Sequence, residues 1–155
     1  MINWRQNPTV YEINTWLWLN ELSEEANRSV TLGSVPQAEL RRLAHQGFDG
    51  LWLMGVWQRS PRGRRIARDD PELQDEYEQA LPDYTPADVV GSPYAVYDYR
   101  VDPALGGDDE LQALRQRLQQ LGLNLILDFV PNHLALDHEW VSGHSERLVH
   151  GREQD

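Results

Sequence analysis

Two glycines and the apolar runs that follow them restrict what this chain can fold into. Gly47 closes a stretch that places Leu40 and Leu43 on one helical face, and Gly122 closes a second stretch in which Leu111, Leu114, Leu118 and Leu121 recur at helical spacing. Shortly after each glycine comes a short apolar run, Gly50–Met54 in the first case and residues 123–130 in the second. Neither run alternates cleanly, as expected of strands buried on both faces. Residues 10–19, rich in β-branched and aromatic side chains behind the Asn7-Pro8 turn signal, read as an earlier strand. Strands alternating with helices that stop just before the next strand call for right-handed crossovers and a parallel sheet. The expected class is α/β.

Local signals sharpen the boundaries. Ser34 and Gln37 form an S-x-x-Q capping box with Pro36 in the first turn, which predicts the start of the first helix. Asp108 and Asp109 offer an acidic start for the second. Between the second strand and that helix lies a long insertion, residues 58–102, and loops of this length inside a compact domain are usually functional or disordered. Within it, Asp70-Pro71 is suited to cap a short helix through Glu78, whereas the arginine-rich residues 59–68 read as a solvated loop neutralised by the acidic residues 69–78. No linker divides the chain, and heptads and low-complexity tracts are absent.

Charge and composition exclude several classes of partner. A formal net charge of −11 repels nucleic-acid phosphates and anionic membrane surfaces. No apolar run approaches the roughly 20 residues that span a bilayer, and the polar start is unlike a signal peptide, so the cytoplasm is the expected compartment. The absence of cysteine removes disulfides, thiol catalysis and thiolate metal sites. Six Trp and six Tyr supply large rings for the core or for platforms under pyranose rings.

The chemistry concentrates where the third strand ends, in Leu125-Ile-Leu-Asp128-Phe-Val-Pro-Asn132-His133. Ligand sites of α/β folds lie at the carboxyl ends of strands. Alternation puts Ile126, Asp128 and Val130 on one face and aims Leu127 and Phe129 at helices. A carboxylate on the inner face of a buried strand either orders a bound ligand or holds a neighbouring loop, and the segment alone leaves both open.

The D-x-V-x-N-H pattern of Asp128 to His133 resembles the first signature of the α-amylase family of glycoside hydrolases. Ser92-Pro-Tyr94-Ala-Val-Tyr97-Asp98-Tyr99-Arg-Val-Asp102-Pro103-x-x-Gly106 resembles a second family segment, with Ser92-Pro93 in place of the usual histidine-glycine. Gly47 to Trp57 is similar to the family's second strand, and Asp137-His138-Glu139-Trp140 to the start of its small inserted domain. The resemblance implies the amino-terminal part of a (β/α)8 barrel, about three βα units. Residues 1–133 would belong to the barrel and 134–155 would open the inserted domain. It implies a retaining enzyme acting on α-glucosidic bonds of α-glucans or oligosaccharides, needing no cofactor. Tyr94 would then be the stacking platform, Asp128 the carboxylate ordering the sugar subsite, His133 the imidazole bonding a glucose hydroxyl, and Trp57 a subsite wall. Asn132 would match an asparagine that is often a calcium ligand.

A retaining glycosidase needs two carboxyl groups flanking the scissile bond. The family carries its catalytic carboxylates after strands four, five and seven, whereas three strands are legible here. A full barrel takes roughly 250 residues, so the chain reads as truncated, without catalytic residues and inactive by itself. The same segments also occur in transglycosylases, in isomerases and in non-catalytic carbohydrate-binding or interaction relatives. A metal hydrolase built on His133, Asp137, His138 and His144 is the other reading, although their spacing is unlike compact zinc motifs.

Overall fold

The computed structural model describes residues 4–151. They form two compact units, one of residues 4–57 and 100–129, the other of residues 58–99 and 130–151.

The first unit carries a parallel sheet of β1 (Val10–Asn14), β2 (Gly50–Met54) and β5 (Asn124–Leu127), in the order β1-β2-β5. Its helices are α1 (Thr15–Ala26), α2 (Gln37–His45) and α5 (Gly107–Gln120). The α/β class and the three parallel strands expected from the sequence are thus present. β1 is shorter than residues 10–19. Asn14 turns the strand into a helix by accepting a hydrogen bond from the Leu17 backbone N–H, so Trp16 to Leu19 become helical despite their strand propensity. α2 begins at Gln37 but behind Pro36, without a side-chain cap. Ser34 spends its hydroxyl instead on Thr31, closing a 3-10 turn over Leu32–Ser34. β5 is likewise limited to Asn124–Leu127, and Asp128 to Val130 lie beyond its regular pairing.

Strand register explains how the sheet sorts its side chains. Ile13, Leu53 and Leu127 stand side by side, as do Tyr11, Leu51 and Leu125. Leu51 and Leu53 are fully buried with Leu40 and Leu43 of α2 and Leu114 and Leu118 of α5. Glu12, Trp52 and Ile126 form the intervening row on the opposite face. Glu110 of α5 accepts from the Gly33 N–H, and Arg117 donates to the carbonyls of Gly33 and Val35. Gly106, at φ +110°, lets the chain enter α5 here, since a Cβ would lie 2.0 Å from the Glu110 carboxylate. The Asp102 N–H donates to the Val56 carbonyl at 2.9 Å, joining the two ends of the long insertion within this unit.

One core position is under-used. Thr15, the first residue of α1, is fully buried and its hydroxyl has no hydrogen-bond partner among the described residues. A buried hydroxyl without a partner costs about 1–3 kcal/mol in proteins. Thr15→Val, nearly equal in volume, is expected to raise unfolding stability by about 1 kcal/mol, read as a higher urea midpoint at unchanged slope.

The second unit is built on α3 (Pro61–Asp69) and α4 (Pro71–Ala80), followed at residues 139–143 by the short helix α6 (Glu139–Gly143). β3 (Trp57–Arg59) and β4 (Val96–Val101) pair as a two-stranded sheet. The arginine-rich run is therefore a helix and not the solvated loop expected. Ser60 caps it by accepting from the Gly63 N–H, Pro61 fits the first helical position, and arginine is a good helix former. Asp70 caps α4 as its sequence suggested, accepting from the Glu72 and Leu73 N–H groups.

Candidate functional site

In the first unit the end of β5 is organised around Asp128. The carboxylate is 7% exposed and uses both oxygens. Oδ1 accepts from the Trp52 indole at 2.8 Å and Oδ2 from the Gly55 backbone N–H at 2.6 Å. Its backbone carbonyl accepts from the Trp57 indole at 2.9 Å. Asp128 thus fixes the turn after β2 and two tryptophans. Trp52 lies on the sheet face that Asp128 continues, which strand alternation alone would have revealed. Trp57 is half-buried and packs against the core. Phe129, expected to point at helices, is 76% exposed because regular strand geometry has ended by then.

In the second unit Tyr94 and His133 come together. They line a cavity of about 230 Å³ with Ser60, Gly63, Ser92, Ala95 and residues 134–136. His133 Nε2 lies 3.1 Å from the Tyr94 carbonyl. A carbonyl only accepts, so Nε2 carries the proton, and in the neutral ring Nδ1 is left as an acceptor. The Tyr94 ring is 41% exposed, and Ser92 Oγ receives the Tyr94 N–H at 3.3 Å. Tyr99 clamps Val130, its hydroxyl accepting from the Val130 N–H at 2.8 Å and donating to the Val130 carbonyl at 3.2 Å. An aromatic face beside an imidazole suits a ligand that has flat apolar faces and a polar edge.

Asp137 builds this cavity without lining it. Its carboxylate accepts from Ser60 Oγ at 2.5 Å and from the Arg62 N–H at 2.9 Å, fastening the loop after His133 to the start of α3. Burial acts to raise the carboxyl, but the Ser60 and Arg62 hydrogen bonds and the Arg62 charge outweigh it and hold the pKa below the ordinary value. A carboxyl depressed on folding stabilises fully above its unfolded pKa, near 4, and loses that contribution as pH falls through the folded value. The stability gap between wild type and Asp137→Asn should therefore be constant at neutral pH and shrink below about pH 4, as urea unfolding across pH would show.

Asn132 is exposed, and among the described residues no group of three or more His, Asp or Glu converges as a metal site. His138 accepts from the Trp140 N–H and His144 sits beside Glu146, so the histidines considered for a metal hydrolase serve local structure. Asn132 offers one amide oxygen of the six to eight ligands that a calcium ion takes.

Residues 38–155 match the family model described as the alpha-amylase catalytic domain. The chain belongs to the α-amylase family. Over 126 residues, 73% of this chain, it is 32% identical to the alpha-1,4-glucan:maltose-1-phosphate maltosyltransferase of Bifidobacterium longum, of which it spans 14%. Over 48 residues, 30% of this chain, it is 46% identical to Maltase 1 of Drosophila virilis, of which it spans 8%. An α-amylase structure from Lactobacillus plantarum superposes with a TM-score of 0.64 at 26% identity, covering 96% of this chain and 28% of that one. Among its described residues this α-amylase-family chain has the amino-terminal portion of a (β/α)8 architecture, with three of its parallel strands and no closed barrel. Among the described residues no helix is long and apolar enough to cross a membrane.

Proposed function

We propose that this chain contributes glucosyl-binding residues to a protein that acts on α-glucosidic bonds of α-glucans or oligosaccharides by a retaining double displacement. Tyr94 stacks on the ring of the glucosyl unit and His133 bonds one of its hydroxyls. By the family resemblance, Asp128, held by Trp52 and Gly55, and Trp57 are two further sugar-binding residues, carried by the first unit. The carboxylates that act as nucleophile and as acid and base lie outside these 155 residues, and residues 134–155 open the inserted small domain. In this reading Asn132 gives one amide oxygen to a calcium ion whose other ligands lie outside the described residues.

The observation that carries the proposal is the Tyr94–His133 cavity, an aromatic face and an oriented imidazole in about 230 Å³. Maltose titrated into the isotopically labelled chain should shift the Tyr94 and His133 resonances, and Tyr94→Ala should weaken binding about fivefold, the loss of roughly 1 kcal/mol of ring contact. Shifts elsewhere with none at these two residues would refute the assignment. Hydrolysis of maltose by the chain alone should be undetectable, since both catalytic carboxylates are needed. The maltosyltransferase match over 73% of the chain favours a second reading, glycosyl transfer. It uses the same donor-binding residues and differs in whether water or a sugar hydroxyl accepts the glucosyl group.

A further inference from the structure

The loop that delivers His133 is pinned on both sides of that residue. Three positions before it, Val130 is gripped by the Tyr99 hydroxyl, which accepts from its N–H at 2.8 Å and donates to its carbonyl at 3.2 Å. Four positions after it, the Asp137 carboxylate accepts from the Ser60 hydroxyl and the Arg62 N–H. Between the pins the His133 ring donates to the Tyr94 carbonyl at 3.1 Å. β5 ends at Leu127, so at Val130 a phenol supplies the donor and acceptor that strand pairing no longer does.

All three ties come from one frame. Tyr99 belongs to β4, Tyr94 lies two residues before that strand, and Ser60 directly follows β3, with which β4 pairs. The Ser60 N–H donates to the Ala95 carbonyl at 2.8 Å, which carries the pairing past the end of β3 to the neighbour of Tyr94. The aromatic platform and the two anchors of the imidazole loop are thus parts of the same short ribbon.

A place on β4 does not by itself account for the grip. Tyr97 lies two residues earlier on the same strand face and is similarly exposed, yet its hydroxyl makes no hydrogen bond among the described residues. Tyr99 is not a lining residue of the Tyr94 and His133 cavity, so any effect it has on a ligand passes through the loop. Fixing a side chain only at the moment of binding weakens affinity by roughly two- to tenfold, and a loop fixed beforehand avoids that loss.

We propose that Tyr99 is a positioning residue of the glucosyl subsite, its hydroxyl setting the place of the His133 imidazole before sugar arrives by holding Val130. This rests on the glucosyl-binding reading above and adds to it a residue that acts without lining the cavity.

The test compares the full, isotopically labelled wild-type chain with Tyr99→Phe, Asp137→Asn and Tyr97→Phe, using maltose as the probe. Tyr99→Phe removes one oxygen and keeps the ring. It should weaken maltose binding about fivefold and, in the sugar-free chain, erase the nuclear Overhauser contacts between the His133 ring and the Tyr94 backbone. Asp137→Asn loosens the other pin and should move both readouts in the same direction, whereas Tyr97→Phe should move neither. A purely structural role for the Tyr99 hydroxyl would lower the urea midpoint and leave the maltose affinity of the folded chain at the wild-type value, which would overturn the positioning role and leave the glucosyl reading intact. Weakened binding with the His133 contacts unchanged, or an equal loss in Tyr97→Phe, would overturn it as well. Undetectable maltose binding by the wild type would refute the glucosyl reading, and the positioning role with it.

Discussion

Asp128→Ala is expected to unfold much of the first unit's strand-end structure. The substitution strips the acceptor from two donors at once, the Trp52 indole and the Gly55 N–H, around a carboxylate that is 7% exposed. Each buried donor left without a partner costs about 1–3 kcal/mol, so a loss of roughly 2–6 kcal/mol follows, against the 5–15 kcal/mol typical of a whole domain. Asp128→Asn keeps one acceptor oxygen and should lose about half as much. Chemical denaturation of the three proteins would measure the series. Equal stabilities for Asp128→Ala and wild type would mean that these hydrogen bonds do not form in solution. Tryptophan fluorescence should change in parallel, because the Trp52 ring loses its anchor.

Leu53→Ala is expected to cost about 2–5 kcal/mol, the range for deleting a fully buried leucine and leaving part of its volume empty. Leu53 is fully buried on the central strand, flanked by Ile13 and Leu127 in register and packed in the cluster that includes Leu40, Leu43, Leu114 and Leu118. Collapse around the gap is limited because strands bound the site on two sides. Leu17→Ala, on α1 and 61% exposed, is the matched control and should change stability by no more than about 0.5 kcal/mol. A denaturant midpoint equal for the two variants would contradict the placement of Leu53 in the core.

The parallel sheet was legible because its evidence is periodic. Gly47 and Gly122 stop helices whose leucines face the core, and β2 falls on the Gly50–Met54 run read from the sequence. Boundaries governed by a single polar side chain were less legible. Asn14 is an ordinary polar residue within an aromatic run until its side chain caps α1. Ser34 satisfies the S-x-x-Q pattern, yet its hydroxyl has a nearer partner in Thr31. The α3 helix was obscured by its charge, although Ser60-Pro61 carried a start signal. For the site, the residues at the strand end could be named because carboxyl ends of strands gather ligands. Their partners could not be, since Trp52 and Asp128 are 76 positions apart and Ser60 and Asp137 77. Only the fold brings such pairs within bonding distance.

The hydrogen bond from Asp102 to Val56 means that the polypeptide leaves the first unit and re-enters it at almost the same point. Residues 58–99 are in that sense a cassette. The closure cost of whatever bridges those two ends grows only logarithmically with its length. Changes of length there leave the leucine core of the first unit untouched, whereas the ties of Ser60, Tyr94 and Tyr99 to residues 130–137 bind the cassette to the chain that follows β5.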